Sequence, residues 1–146
     1  MRRWLAAAVV GVVAGLTVAA TGFAIERAAA GDGRALGPGH VSVDVGIDHS
    51  RFSVERLRVR PGTVVRFVVI NDDPIAHELV VGDDDVHARH VAGTEAVHPP
   101  VPGEVSVAPG EVGVTVVRFD APGTVRFACH LPGHLAYGME GEVVVG

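Results

Sequence analysis

Residues 40–47 read HVSVDVGI and residues 63–71 read TVVRFVVIN, and in both an aliphatic or aromatic side chain returns at alternate positions. A period of two places those side chains on one face of an extended chain, which is the mark of a half-buried strand. The same pattern extends in both directions. FSVERLRV covers 52–59, HELVV covers 77–81, and EVSV, EVGVTVVRFD, GTVRFAC and GEVVV fill the end of the chain. Turn signals such as Pro61-Gly62, APGE and DAPGT break the runs every 8 to 12 residues. That spacing predicts about eight strands in an all-β sandwich of two packed antiparallel sheets. No helical period is visible outside the N-terminal leader.

With 146 residues, 48% of them hydrophobic but only 5% aromatic, the chain has room for one domain around an aliphatic core. Its twelve basic residues are all arginine, are nowhere clustered, and leave a net charge of -5. Nucleic acid is therefore disfavoured as a partner.

Arg2 and Arg3 precede 22 uncharged residues, Trp4 to Ile25, closed by Glu26 and Arg27. A basic start followed by an apolar run is the pattern of an export signal, and the run is also long enough to serve as a membrane anchor. Residues 1–27 are accordingly read as a signal peptide or N-terminal anchor, with a Gly, Ala and Pro-rich linker over 28–39 and the folded domain over 40–146. Either reading of the leader places the domain outside the cytoplasm.

The sole cysteine of an exported domain has no internal disulfide partner. Cys129 opens the loop CHLPGHLAYGM, 129–139, which also holds His134 and Met139, the only methionine besides the initiator. Thiolate, imidazole and thioether together favour copper over hard cations. Two histidines and a cysteine in a plane with a distant methionine would make a blue-copper site, and the missing histidine is best supplied by His77 in NDDPIAHELVV, where the chain re-enters the sheet. Pro132 and Gly133 are expected to form the turn that brings His134 back towards Cys129.

On these motifs, Asn71 with His77, Cys129 and His134 around LPG, and Met139 in GM, the chain over about 40–146 resembles the cupredoxins. These are small blue-copper proteins of the plastocyanin and azurin kind, and the likeness is greatest to rusticyanin-like and auracyanin-like bacterial members. The resemblance implies a Greek-key sandwich and one type 1 copper ion, with His77, Cys129 and His134 in the plane and Met139 axial. It also implies that Asn71 ties the two ligand loops together, the other reading being an ordinary turn-forming asparagine. Leu131, Pro132, Leu135, Ala136 and Tyr137 would then surround His134 as an apolar docking patch for redox protein partners, or Leu131 and Tyr137 would fold inward as core.

His130 is expected to point away from copper by strand alternation. The stretch with His87, His90, Glu95 and His98 is expected to be a solvated acidic loop; a short helix capped by Asp83 or Asp84 is the alternative, and would place His87 and His90 on one face as a second metal site. His40 and His49 receive no role. The functional expectation is a monomeric, exported electron carrier and not an enzyme, with a copper carrier or delivery protein as the alternative. Part of a copper nitrite reductase or oxidase is disfavoured by the missing second set of histidines.

Overall fold

The computed structural model describes residues 26–28, 33–93 and 99–146. Residues 1–25 of the leader, Glu95 and His98 lie outside the described residues, whereas Glu26 and Arg27, read as the end of the leader, stand in a strand. Among the described residues, ten strands form two five-stranded sheets. One contains β1 (Glu26–Ala28), β2 (Gly39–Asp48), β5 (Thr63–Asn71) and β8 (Val112–Phe119) in that order, with β3 (Arg51–Phe52) paired to β2. The other runs β4 (Arg56–Val59), β10 (Glu140–Val145), β9 (Gly123–Ala128), β6 (His77–Gly82), β7 (Glu104–Val107).

The alternation does what its period demands. Val41, Val43, Val45 and Ile47 of β2 and Val65, Phe67 and Val69 of β5 turn inward, where they meet Leu79, Val81, Phe127, Val143 and Val145 of the facing sheet in one buried cluster. Burying each such side chain stabilises the fold by about 1.5–3 kcal/mol before chain entropy is counted. Leu36, in the segment read as linker, is buried too and bridges Val59.

Three expectations are corrected. The sheets are mixed and not purely antiparallel, because β2 pairs with β5, and β4 with β10, in parallel. These strand pairs are joined through the opposite sheet, a connection that alternation cannot reveal. Residues 52–59 are not one strand: after Phe52 the chain leaves the first sheet, buries Val54, and enters the second at Arg56. A helix, α1 (Asp84–Val91), occupies the region expected to be a loop, capped by the Asp83 carboxylate accepting from the Val86 amide at 3.0 Å. It lies on the outer face of β6, which is why β6 is buried on both faces.

Gly141 pairs with Phe127 across β9 and β10, and a Cβ at this position would stand 2.6 Å from the Glu55 carbonyl oxygen and 2.6 Å from a ring carbon of Phe127. Backbone cannot yield as a side-chain tip does. Gly141→Ala is expected to lower stability by about 1–3 kcal/mol, read as a shift in the urea midpoint; an unchanged midpoint would contradict this packing.

Candidate metal centre

Strand parity sorts the polar side chains of β6 and β9 into two groups. Val80 stands opposite Ala128 and Val81 opposite Phe127. With Leu79, Val81 and Phe127 facing the core, His77 and Cys129 share that inner side, while Glu78 and His130 take the outer one. His77 and Cys129 are both almost fully buried.

The loop after β9 then folds back over Cys129. The His134 amide donates to the Leu131 carbonyl at 3.0 Å, closing a turn with Pro132 second and Gly133, at φ +87°, third. This is the turn expected from Pro132 and Gly133, and it needs a residue free to adopt positive φ at that point. A single turn of 3-10 helix, Leu135–Tyr137, follows and ends at Gly138 in the left-handed conformation. Met139 is thereby pinned: its amide donates to the His134 carbonyl and its carbonyl accepts from the Cys129 amide, each at 3.1 Å. Its side chain is fully buried.

Within this frame the His134 Nδ1 lies 3.2 Å from the Cys129 Sγ, and the His77 and His134 ring centroids are 4.8 Å apart. Donor atoms of His77, Cys129 and His134 all fall within 4.8 Å of one another, the one such group of three among the described residues. The three side chains predicted to share a metal are thus brought together.

A residue absent from the sequence reading orients the set. Asp73 is buried, and its Oδ2 accepts from the His77 Nε2 at 2.8 Å. The amides of His49 and Ser50 donate to the same carboxylate, each at 2.7 Å. Both of these residues have positive φ, 51° and 54°, a conformation that costs non-glycine residues energy and here aims two successive amides at one anion. Burial alone would raise the Asp73 pKa, but the two amides and His77 outweigh it and hold it below the usual carboxylate range. Asp73 therefore fixes the hydrogen of His77 on Nε2. The other nitrogen, Nδ1, is buried with no hydrogen-bond partner. A bare, buried lone pair on a ring that stands beside a thiol and a second imidazole fits a soft metal.

Asn71 is fully buried, and its Nδ2 is shared among the carbonyls of Ile75, Val107 and Ala108 while its Oδ1 accepts from the Asp73 amide at 3.0 Å. It therefore shapes the loop that leads to His77. The expected tie to the Cys129 loop is corrected, since these bonds reach the end of β7 instead.

Burial pushes the Cys129 thiol up to about 11, against the pull of the Glu78 and Leu131 amides. A free thiol here would be a poor nucleophile, and a cation that replaces its proton removes that penalty. Burial also lowers His134, with His77 adding to the effect.

The expected solvated loop at His87 and His90 is corrected by α1, which buries both rings against the outer face of the sheet. The sequence held the cap but no apolar stripe, so the packed face, being polar, gave no helical signal. His130 points away from Cys129, as expected, and its Nε2 lies 2.8 Å from the His87 Nδ1. Around the loop, Leu131 packs against the core whereas Pro132, Ala136 and Tyr137 are exposed, the last by 72%.

A small β-sandwich that gathers a buried thiol, two imidazoles and a buried methionine at one end is built to hold a soft metal ion. The chain matches the model of copper binding proteins of the plastocyanin/azurin family over residues 39–146, and it belongs to that family. It is 40% identical over 101 residues to the copper-resistant cuproprotein CopI of Rubrivivax gelatinosus, an alignment covering 67% of this chain and 61% of that protein. It is 32% identical over 120 residues to auracyanin-B of Chloroflexus aurantiacus, covering 72% and 51%. The chain thus spans about three-fifths of the first relative and half of the second. Among solved structures, auracyanin B superposes with TM-score 0.57 at 28% identity over 72% of this chain and 88% of that one. Auracyanin from Roseiflexus castenholzii gives TM-score 0.60 at 22% identity, over 72% and 96%, and shares the fold.

Metal-free protein should lose stability in mild acid. Burial holds His130 down to about 4 from the usual 6.5, and it lowers His87 and His134 too. Between those limits the unfolded chain binds more protons than the folded one, so stability is complete above about pH 7 and falls as pH drops from about 6.5 towards 4. Urea midpoints of the metal-free protein at pH 7.5 and pH 4.5 check this; equal midpoints would contradict it.

Proposed function

We propose that this chain is an exported electron carrier that moves one electron between redox partners through a single type 1 copper held by His77, Cys129, His134 and Met139. The observation that carries the reading is the preset donor pair: His77 fixed by Asp73 with its Nδ1 bare, and His134 fixed by a closed turn 3.2 Å from the Cys129 sulfur. Copper bound there supplies a one-electron couple whose cost of rearrangement the protein can restrict.

The chain's own contribution is rigidity and insulation. His77 and Cys129 sit at the ends of strands packed into the aliphatic core, and Met139 is held by backbone bonds to both His134 and Cys129. Little of this frame can shift when one charge is added or removed. Because Nδ1 of His134 faces the sulfur, the opposite edge of its half-buried ring faces outward. Exposed Pro132, Ala136 and Tyr137 beside it make an apolar surface on which a redox partner can dock. The apolar leader supports export, with the domain working outside the cytoplasm.

A second reading, a copper carrier or delivery protein, has one specific support: the relative with 40% identity is named for copper resistance. The two differ in turnover, since an electron carrier keeps its copper through many cycles.

The purified protein loaded with cupric ion should turn intensely blue or green and cycle reversibly in voltammetry. Cys129→Ser should abolish the colour and leave the far-UV circular dichroism of the sandwich intact. Loss of copper to a cuprous chelator on each reduction would favour the delivery reading, and a colourless wild-type protein would end both. Asp73→Asn keeps the shape but removes the buried charge behind His77. It should weaken cupric affinity by about 10–100-fold, measured by competition with a chelator of known affinity.

A further inference from the structure

The face of β6 and β9 turned away from Cys129 carries a second set of donors. We propose that His87 Nδ1 and His130 Nε2 bind a second divalent ion of borderline softness, cupric or zinc, in a site separate from the thiolate centre.

The two nitrogens come from α1 and from the segment just beyond β9, 43 residues apart in sequence, and stand 2.8 Å from each other with ring centroids 5.0 Å apart. The Arg126 carbonyl, 3.2 Å from the His87 Nε2, accepts a hydrogen there and leaves the His87 Nδ1 as a lone pair. A carbonyl-anchored imidazole presenting its other nitrogen is how metal-binding histidines are commonly oriented. In the metal-free state His130 donates from Nε2 to that lone pair. Its own Nδ1 is buried without a partner, so the ring can carry its single hydrogen on Nδ1 instead and offer Nε2 to the ion with no proton gained or lost. A helix-to-strand hydrogen bond alone would not require that second, unsatisfied nitrogen.

Two buried carboxylates lie nearby, offset in part by Arg89, 3.0 Å from Glu104, and by Arg126, whose charge acts against protonation of both rings. Glu78 and Glu104 are buried; Glu78 accepts from the His130 amide at 2.7 Å, and His90 lies between the two carboxylates, 3.5 Å from Glu78 and 3.1 Å from Glu104. A surface pocket of about 390 Å³, lined by Val91, His130, Leu131, Gly133, Leu135 and Ala136, opens onto His130 and gives an ion a way in. Two imidazoles converge and, among the described residues, no third protein donor joins them, so water from this pocket completes the shell. Such a site is weaker than the first, and without sulfur it is nearly colourless.

The test is a cupric titration of the whole protein, with bound metal counted after desalting and the first site read by its colour. Wild type is expected to hold two equivalents, the second adding no strong visible band but a paramagnetic resonance signal with nitrogen splitting; zinc added to protein whose first site already holds copper should block that second signal on further cupric addition and spare the colour. His87→Gln and His130→Gln should each hold one equivalent with the colour kept in His87→Gln, while His98→Ala should still hold two. Saturation of wild type at one equivalent, or a second equivalent that survives both glutamine variants, would overturn the proposal. The colour reports the first site independently, so failure there and failure here are told apart.

Discussion

Side chains on neighbouring residues of a strand point to opposite faces, and at β6 and β9 this single constraint organises the chemistry of the molecule. His77 and Glu78 are adjacent in sequence, as are Cys129 and His130, yet each pair is split by the sheet. The inner members meet at the end of the aliphatic core; the outer members meet α1. A one-residue slip in the pairing of Val80 with Ala128 would exchange the two sets and bury carboxylate and imidazole against valine. The register is held by Leu79, Val81 and Phe127, which fill the core between the sheets. Packing far from any polar group therefore determines which donors face which.

Parity alone does not orient a ring. That is done by Asp73, whose carboxylate gathers the His77 Nε2 and two amides within 2.8 Å. The strain at His49 and Ser50 is of the order of 1–3 kcal/mol per residue for such backbone, and the anion they enclose offsets it. Removing the charge leaves two inward-pointing amides with a weaker acceptor, so the turn after β2 and the ring on β6 are coupled through one side chain. His49 matters here through its backbone and not its imidazole, which is exposed and paired with Asp48.

The strands were legible because their inner faces are valine-rich and their turns are marked by Pro and Gly. The donor group was legible because sulfur and imidazole are rare and close together in the last loop. Other features left no such trace. Parallel pairing of β2 with β5 depends on connections through the opposite sheet, and nothing in a local period records it. The helix over 84–91 packs through His87 and His90, so the usual apolar stripe is missing, and the Asp83 cap was its one signal. Asp73 sits in NDDP, where Asx residues normally mark a turn, and only its burial against His77 separates it from its neighbour Asp72. Asn71 was singled out correctly but its partners could not be read, since its amide reaches residues 36 and 37 positions away.

The metal-free fold carries an energetic conflict at this end of the sandwich. A thiol is buried deeply enough to resist ionisation, and a lone pair on His77 is buried with nothing to accept. An unsatisfied buried polar atom costs about 1–3 kcal/mol, and a chain of this size has only about 5–15 kcal/mol of net stability. The conflict is tolerable because the valine core between β2, β5, β9 and β10, which Cys129 and Met139 join at one end, buries enough apolar surface to outweigh it. An ion that satisfies the thiol and the lone pair together removes both penalties in the native state alone. Its binding is then linked to folding, and the same atoms that weaken the empty protein stiffen the loaded one. Rigidity of the ligand frame and frustration of the empty site are in this sense one property: donors held too firmly to find other partners are also held ready for the ion that satisfies them.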